Sequence, residues 1–248
     1  RRRDRRREDA VVPLTIDPGS RIHRAGGSIL GTSRDTPAHA RANFKTLMSA
    51  LKKSGIRHLV AIGGEGTLFV ANWIQQEGRG RINVVHAPKT IDNDIPLPGG
   101  HPTFGYETAR HLGVNIVSNL MEDARTMGRW YFVTTMGRHS GHLALGFGQA
   151  AGATITLIPE EFPETIIPIG RLTDILTCSI VKRLSFGKNH GVAVFAEGIV
   201  ERLNAEELKT CEDLEHDSTG RIGLSEIQLG RALKWLVQKE IKSLGIQK

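Results

Sequence analysis

Two carboxylates, Asp92 and Asp94, stand two apart in PKTIDNDIP (88–96), with Lys89 and Thr90 just upstream and a proline near each end. The prolines restrict the flanking backbone, so the acids are held in place before any substrate arrives. An acid on so stiff a segment suits a general base: Asp92 can accept the proton of an attacking hydroxyl, while Asp94 positions it or adds a water-mediated metal contact. Like charges this close raise one of the two pKa values, and Lys89 would offset the effect. The competing reading is a plain Asn/Asp turn with no chemistry.

AIGGEGTLFVA (61–71) supplies a second group. Gly63 and Gly64, followed by Gly66 and Thr67, let the backbone turn sharply and bring N–H groups up to a phosphate at the start of a helix. Glu65 cannot attract phosphate itself. A carboxylate there makes sense with Mg²⁺ between it and the phosphate oxygens, because Mg²⁺ takes few protein ligands and shares itself with phosphates. An ordinary strand-to-helix turn remains open for this stretch. In MGRHSGHLAL (136–145), Arg138 sits at another strand-to-helix junction, where a fixed guanidinium can stabilise a phosphoryl group in transfer. Arg129 lies nine residues earlier, at the far end of the strand WYFVTT. That length spans roughly 25 Å or more, so both arginines cannot serve one phosphate within one subunit. His139 and His142 lack a third ligand and read as polar residues at a helix start. Arg34, after the glycine pair of GGSILGTSR, is a further phosphate candidate.

Short β-branched runs alternate with longer segments of helical period, the signature of an α/β fold with a parallel sheet. Strands are expected at IRHLVAI (56–62), INVVHA (82–87), WYFVTT, ATITLIP and GVAVFAE (191–197). Helices are expected between them. TPAHARANFKTLMSALKKSG should be a surface helix opening at Thr36 and Pro37, carrying Phe44, Leu47, Met48 and Leu51 on one face, and stopping at Gly55. LSEIQLGRALKWLVQKEIKSLG should close the chain as an amphipathic helix. Each motif falls where a strand ends and a helix begins, the edge at which open α/β sheets bind ligands.

At 248 residues and 39% hydrophobic content, the chain can bury a sizeable core. No apolar run approaches the roughly 20 residues of a membrane span. The expectation is a soluble, cytoplasmic protein without a membrane partner. Cys178 and Cys211 share no metal-ligand spacing and read as reduced, structural thiols. Of the net charge of +7, the first eight residues, with six arginines and two acids, contribute +4. No aromatic residue is interleaved there to stack on bases, so residues 1–20 read as a disordered basic tail and nucleic acid is not an expected partner.

Taken together, GGEGT, PKTIDND and MGR, in this order and spacing, resemble the phosphofructokinase family, from GGSILGTSR to FAEG at 198. The resemblance implies a Rossmann-like α/β fold: an open, mostly parallel sheet with helices on both faces. It would divide into a donor-binding subdomain over 21–135 and a sugar-phosphate subdomain over 136–248. It also implies phosphoryl transfer, with Mg²⁺, from ATP or pyrophosphate to the 1-hydroxyl of fructose 6-phosphate, a step of glycolysis. Asp92 would be the base, assisted by Asp94, and Glu65, where most members have Asp, would serve the metal. Arg138 would stabilise the transferring group, and Arg34 would meet donor phosphates. Gly63, Gly64, Gly66, Thr67 and Lys89 would line the donor site. Thr90, Met136, Gly137 and Glu197 would contact the sugar or the transferring phosphate. Arg129 matches an arginine that reaches the neighbouring subunit's sugar phosphate, which answers the distance problem and implies a homo-oligomer, dimer or tetramer.

The donor signals conflict. In the family, glycine after the loop acid accompanies ATP, because a side chain there would crowd the nucleotide's inner phosphates, whereas Lys89 is the residue pyrophosphate users carry. Steric exclusion is the harder constraint to evade, so ATP is expected. The family's first strand and donor-cradling glycine-rich loop have no counterpart in RRRDRRREDAVVPLTIDPGS, and its later arginine-bearing segment is not found before Lys248. A fragment or truncated open reading frame that binds weakly or does not turn over is therefore expected. The alternative is a catalytically silent sugar-phosphate or nucleotide-binding module or pseudoenzyme. An NAD or lipid kinase shares the glycine–acid–glycine turn but does not account for PKTIDND with MGR.

Overall fold

In the computed structural model, which describes residues 14–29, 42–204, 207 and 229–246, the apolar runs become parallel strands and the segments of helical period become the helices between them. The chain divides into two compact units, Arg1–Arg57 and His58–Lys248.

The first unit contains α1 (Ile16–Gly19), a single turn within the stretch expected as a tail, and α2 (Phe44–Lys53). Phe44 is buried and Leu47, Met48 and Leu51 are half-buried, the apolar face expected of a surface helix. The helix stops where expected, with Gly55 at φ 67° and the Ile56 N–H donating to Leu51 O (3.1 Å). The expected start at Thr36 and Pro37 lies outside the described residues.

The second unit holds two three-stranded parallel sheets. In the first, β1 (His58–Gly63), β2 (Asn83–Thr90) and β3 (Phe104–Gly105) lie in that order, with α3 (Glu65–Gly78) between β1 and β2 and α4 (Tyr106–Met127) after β3. The second comprises β4 (Trp130–Thr135), β5 (Ile155–Leu157) and β6 (Gly191–Ala196), with β6 in the middle. α5 (His142–Ala151), α6 (Ile169–Ser185) and α7 (Leu229–Ser243) complete the described α-helices.

Period-two alternation on β6 organises the main core. Val192, Val194 and Ala196 meet Val117 and Ala124 of α4 and Ala144 of α5. Ala193 and Phe195 face the other way, onto Leu172 and Leu176 of α6 and Leu229 and Leu233 of α7. Helices therefore flank this sheet on both faces, as the α/β reading expects.

Three local readings need correction. β2 runs on through Pro88 and Lys89 to Thr90, so the first third of the presumed stiff turn is strand: proline's fixed φ suits extended backbone, and pairing to β1 ends at Gly63–Pro88. Glu65 opens α3 instead of preceding it. Cys178 is a free thiol, as the reduced reading expects, but it is exposed on α6, and Cys211 lies outside the described residues. No helix of the described residues is long and apolar enough to cross a membrane.

Candidate active site

The loop after β2 is fixed from within. The Asp92 N–H donates to Thr90 Oγ1 (3.1 Å), the Thr103 N–H to Asn93 Oδ1 (2.9 Å), and Thr103 Oγ1 to the Thr90 carbonyl (2.7 Å). Asn93 is left-handed (φ 55°), a conformation asparagine tolerates better than most side chains. Asp92 and Asp94 are half-buried, and Oδ1 of each is closed off from solvent without a hydrogen-bond partner within the protein. Burial pushes the Asp92 carboxyl above its ordinary value; Asp94 and then Glu197 push the same way, while His139 and Arg138 pull it back in part. Groups from the ends of β2, β4 and β6 thus share one electrostatic neighbourhood.

The loop after β4 is seated on the end of β6. Gly137 is left-handed (φ 126°), and a Cβ on it would collide with the Ser140 carbonyl. Its N–H donates to Glu197 Oε1 (3.3 Å), and its carbonyl accepts from the Gly198 N–H (3.1 Å). A Cβ on Gly198 would in turn strike the Arg138 carbonyl, so the two loops touch backbone to backbone. Met136 and Arg138 remain exposed. His139 Nδ1 stands 3.9 Å from Glu201 Oε2.

The glycine loop joins from the β1 side. His86 Nε2 bonds the Gly63 carbonyl (3.1 Å), which requires the hydrogen on Nε2, and a Cβ on Gly64 would stand 3.7 Å from Thr90 Cβ. Glu65 and Gly66 are exposed on the first turn of the 14-residue α3, where backbone N–H groups lack helical acceptors. Thr67 packs against Gly63, and Lys89 is exposed on β2.

Of the residues singled out from sequence, the structure gathers Gly63, Gly64, Glu65, Gly66, Thr67, Lys89, Thr90, Asp92, Asp94, Met136, Gly137, Arg138 and Glu197 at the carboxyl ends of β1, β2, β4 and β6. It does not bring in Arg129, which precedes β4 at the opposite end, paired with Asp123 (3.5 Å) and set over the Tyr131 ring at 5.4 Å. Arg34 lies outside the described residues. Residues that the spacing did not flag complete the frame: His86, Thr103 and Ser140 have no motif signature, and His142, read as a helix-start residue, contacts the acid loop.

A family model described as Phosphofructokinase matches residues 7–234. The chain belongs to the phosphofructokinase family. It is 48% identical to a pyrophosphate–fructose 6-phosphate 1-phosphotransferase of Thermotoga maritima, over 95% of this chain and 56% of that one. It is 40% identical to an ATP-dependent 6-phosphofructokinase of Mycobacterium bovis, over 73% and 49%. This phosphofructokinase-family chain spans about half the length of the curated relatives it matches. A crystal structure of a pyrophosphate-dependent phosphofructokinase from Nitrosospira multiformis shares the fold, with a TM-score of 0.61 at 18% identity over 87% of this chain and 49% of that one.

Proposed function

We propose that this chain transfers the terminal phosphoryl group of ATP to the 1-hydroxyl of fructose 6-phosphate, with Asp92 as general base. The observation that carries the reading is Asp92 itself: a half-buried carboxyl, raised in pKa by burial and two neighbouring acids, set beside Arg138 in a chain of this family. A raised carboxyl pKa makes a better proton acceptor. Asp92 takes the hydroxyl proton as the oxygen attacks; Asp94 holds the hydroxyl in line. Arg138, exposed and always charged, meets the equatorial oxygens as negative charge shifts across them. Glu197 uses Oε1 to hold Gly137 N–H and has Oε2 for a sugar hydroxyl. Thr90 and the backbone at Met136 and Gly137 complete the acceptor side.

The first turn of α3 faces the donor, with Gly63, Gly64 and Thr67 shaping the anion pocket and Lys89 beside it. Among the described residues no group of three His, Cys, Asp or Glu side chains is placed to hold a metal alone. Glu65, an exposed carboxylate on the first turn of α3, fits Mg²⁺, which binds through one or two carboxylates plus substrate phosphates. Glu65 would hold it, and it would neutralise phosphate charge there. A Cβ on Gly66 would meet no protein atom within 4 Å, so the fold does not require glycine there, and a side chain would intrude on the ligand side. This favours ATP over pyrophosphate. Arg129, a strand's length away, would serve the sugar phosphate of a second copy in a homo-oligomer. Residues 21–135 would handle the donor and 136–248 the acceptor, in a cytoplasmic setting.

The test is a magnesium-dependent assay with fructose 6-phosphate and either donor, run beside Asp92→Asn. Turnover with ATP that collapses in the variant supports the reading; equal rates in both remove Asp92 from the mechanism. Fructose 6-phosphate binding without turnover would instead mark a silent sugar-phosphate module.

A further inference from the structure

The acid loop hangs from β2 in the first sheet, and the arginine loop from β4 in the second. Two consecutive carbonyls of the acid loop are taken by side chains from one short stretch of the second sheet's loop. Ser140 Oγ donates to the Asp92 carbonyl at 2.5 Å, and His142 Nδ1 bonds the Asn93 carbonyl at 2.9 Å. A carbonyl only accepts, so Nδ1 of His142 carries its hydrogen. These two peptide planes flank the left-handed Asn93 and set where the Asp92 and Asp94 side chains point. Ser140 is almost fully buried, at 5% exposure, and sits two residues after Arg138. Its backbone is in turn pressed against Gly137, which is bonded to Glu197.

We infer that Ser140, seconded by His142, is a positioning residue that clasps the acid loop to the arginine loop, so that Asp92, Arg138 and Glu197 hold one geometry across the two sheets. The inference rests on the reading of Asp92 as base. A clasp of this kind matters because reaction requires the hydroxyl, its proton acceptor and the phosphoryl group in register, and a misplacement near 1 Å costs about 100-fold.

The experiment measures kcat, KM for fructose 6-phosphate and the Asp92 carboxyl titration, the last by ¹³C NMR of aspartate-labelled chain assigned with Asp92→Asn. Ser140→Ala should lower kcat by about 10- to 100-fold with KM little changed, and the Asp92 titration should move down toward the ordinary carboxylate range as the loop gains solvent. Ser140→Cys, similar in size with a weak donor, should fall between. The exposed His142 provides a variant that does not threaten folding: His142→Ala should lower kcat less than Ser140→Ala, and His142→Asn, with an amide N–H near the Nδ1 position, should restore it. If wild type does not turn over, the proposed function fails, and the titration alone decides the clasp. An unmoved Asp92 titration in both Ser140→Ala and His142→Ala overturns the inference, even with a lowered melting temperature.

Discussion

The two sheets of the larger unit are made of similar residues and buried very differently. Every residue of β6 is buried, whereas β1, also largely apolar, leaves Val60 and Ile62 at 64% and 65% exposure, and β2 leaves Val85 at 63%. Apolar character alone therefore does not predict burial; layers do. β6 has helices on both faces and a strand at each edge, while among the described residues α3 packs against β1 and β2 on one side. The proposed chemistry straddles this divide, with Asp92 on the weaker sheet and Arg138 and Glu197 on the stronger one.

Four measurements would break or sharpen that contrast. The largest expected effect is on Asp92→Asn, which should lower the rate by about 10²–10⁴-fold. Its stability should move the other way. A carboxyl with a raised folded pKa contributes stability that is full below the unfolded value of 3.8 and lost as pH rises through the folded pKa. Asp92 is thus a net cost at pH 7, and thermal melts should show the asparagine variant more stable there, with the gap closing as the pH approaches 3.8. Next, Phe195→Ala should cost about 3–5 kcal/mol in denaturant unfolding, because it opens a cavity on the fully packed face of β6. Gly198→Ala should unseat the arginine loop, since its methyl would strike the Arg138 carbonyl; the expected loss is about 10-fold or more in kcat, and wild-type kcat in that variant would show that the loop adjusts freely. Smallest is Val85→Thr on the open face of the first sheet, which should stay within about 0.5 kcal/mol. A cost matching Phe195→Ala would mean that face is covered in solution.

The acid profile of activity gives a check on the same carboxyl. Because the base must be ionised, a raised Asp92 pKa moves the acid limb of kcat/KM above the ordinary carboxylate value.

Much of this was legible in the residues. Val192, Val194 and Ala196 alternate with Ala193 and Phe195, and strand period alone assigns them to opposite faces. GGEGT and PKTIDND fall at strand ends because glycine and the Asn/Asp pair break the apolar pattern there. Pro88 misled for the opposite reason: it reads as punctuation, yet its φ fits a strand, so β2 continues to Thr90. Ser140 and His142 were beyond reach, since their partners lie 48 and 49 residues away and any hydroxyl or imidazole after a strand has the same local appearance. Val60 and Ile62, in the apolar run IRHLVAI that reads as a buried strand, are exposed instead, because periodicity reports which side chains share a face, not whether another layer covers it.

Glu197 directly follows β6, a strand gripped above, below and along both edges, so that carboxylate has little freedom to wander. Glu65, across the rim, sits exposed on a first turn whose glycine cap offers no side-chain anchor. A molecule settling between them would meet a fixed jaw on one side and a compliant jaw on the other. On the proposed reading, tolerance for ligands of differing length would sit on the glycine side, and discrimination among ring shapes on the side that cannot yield.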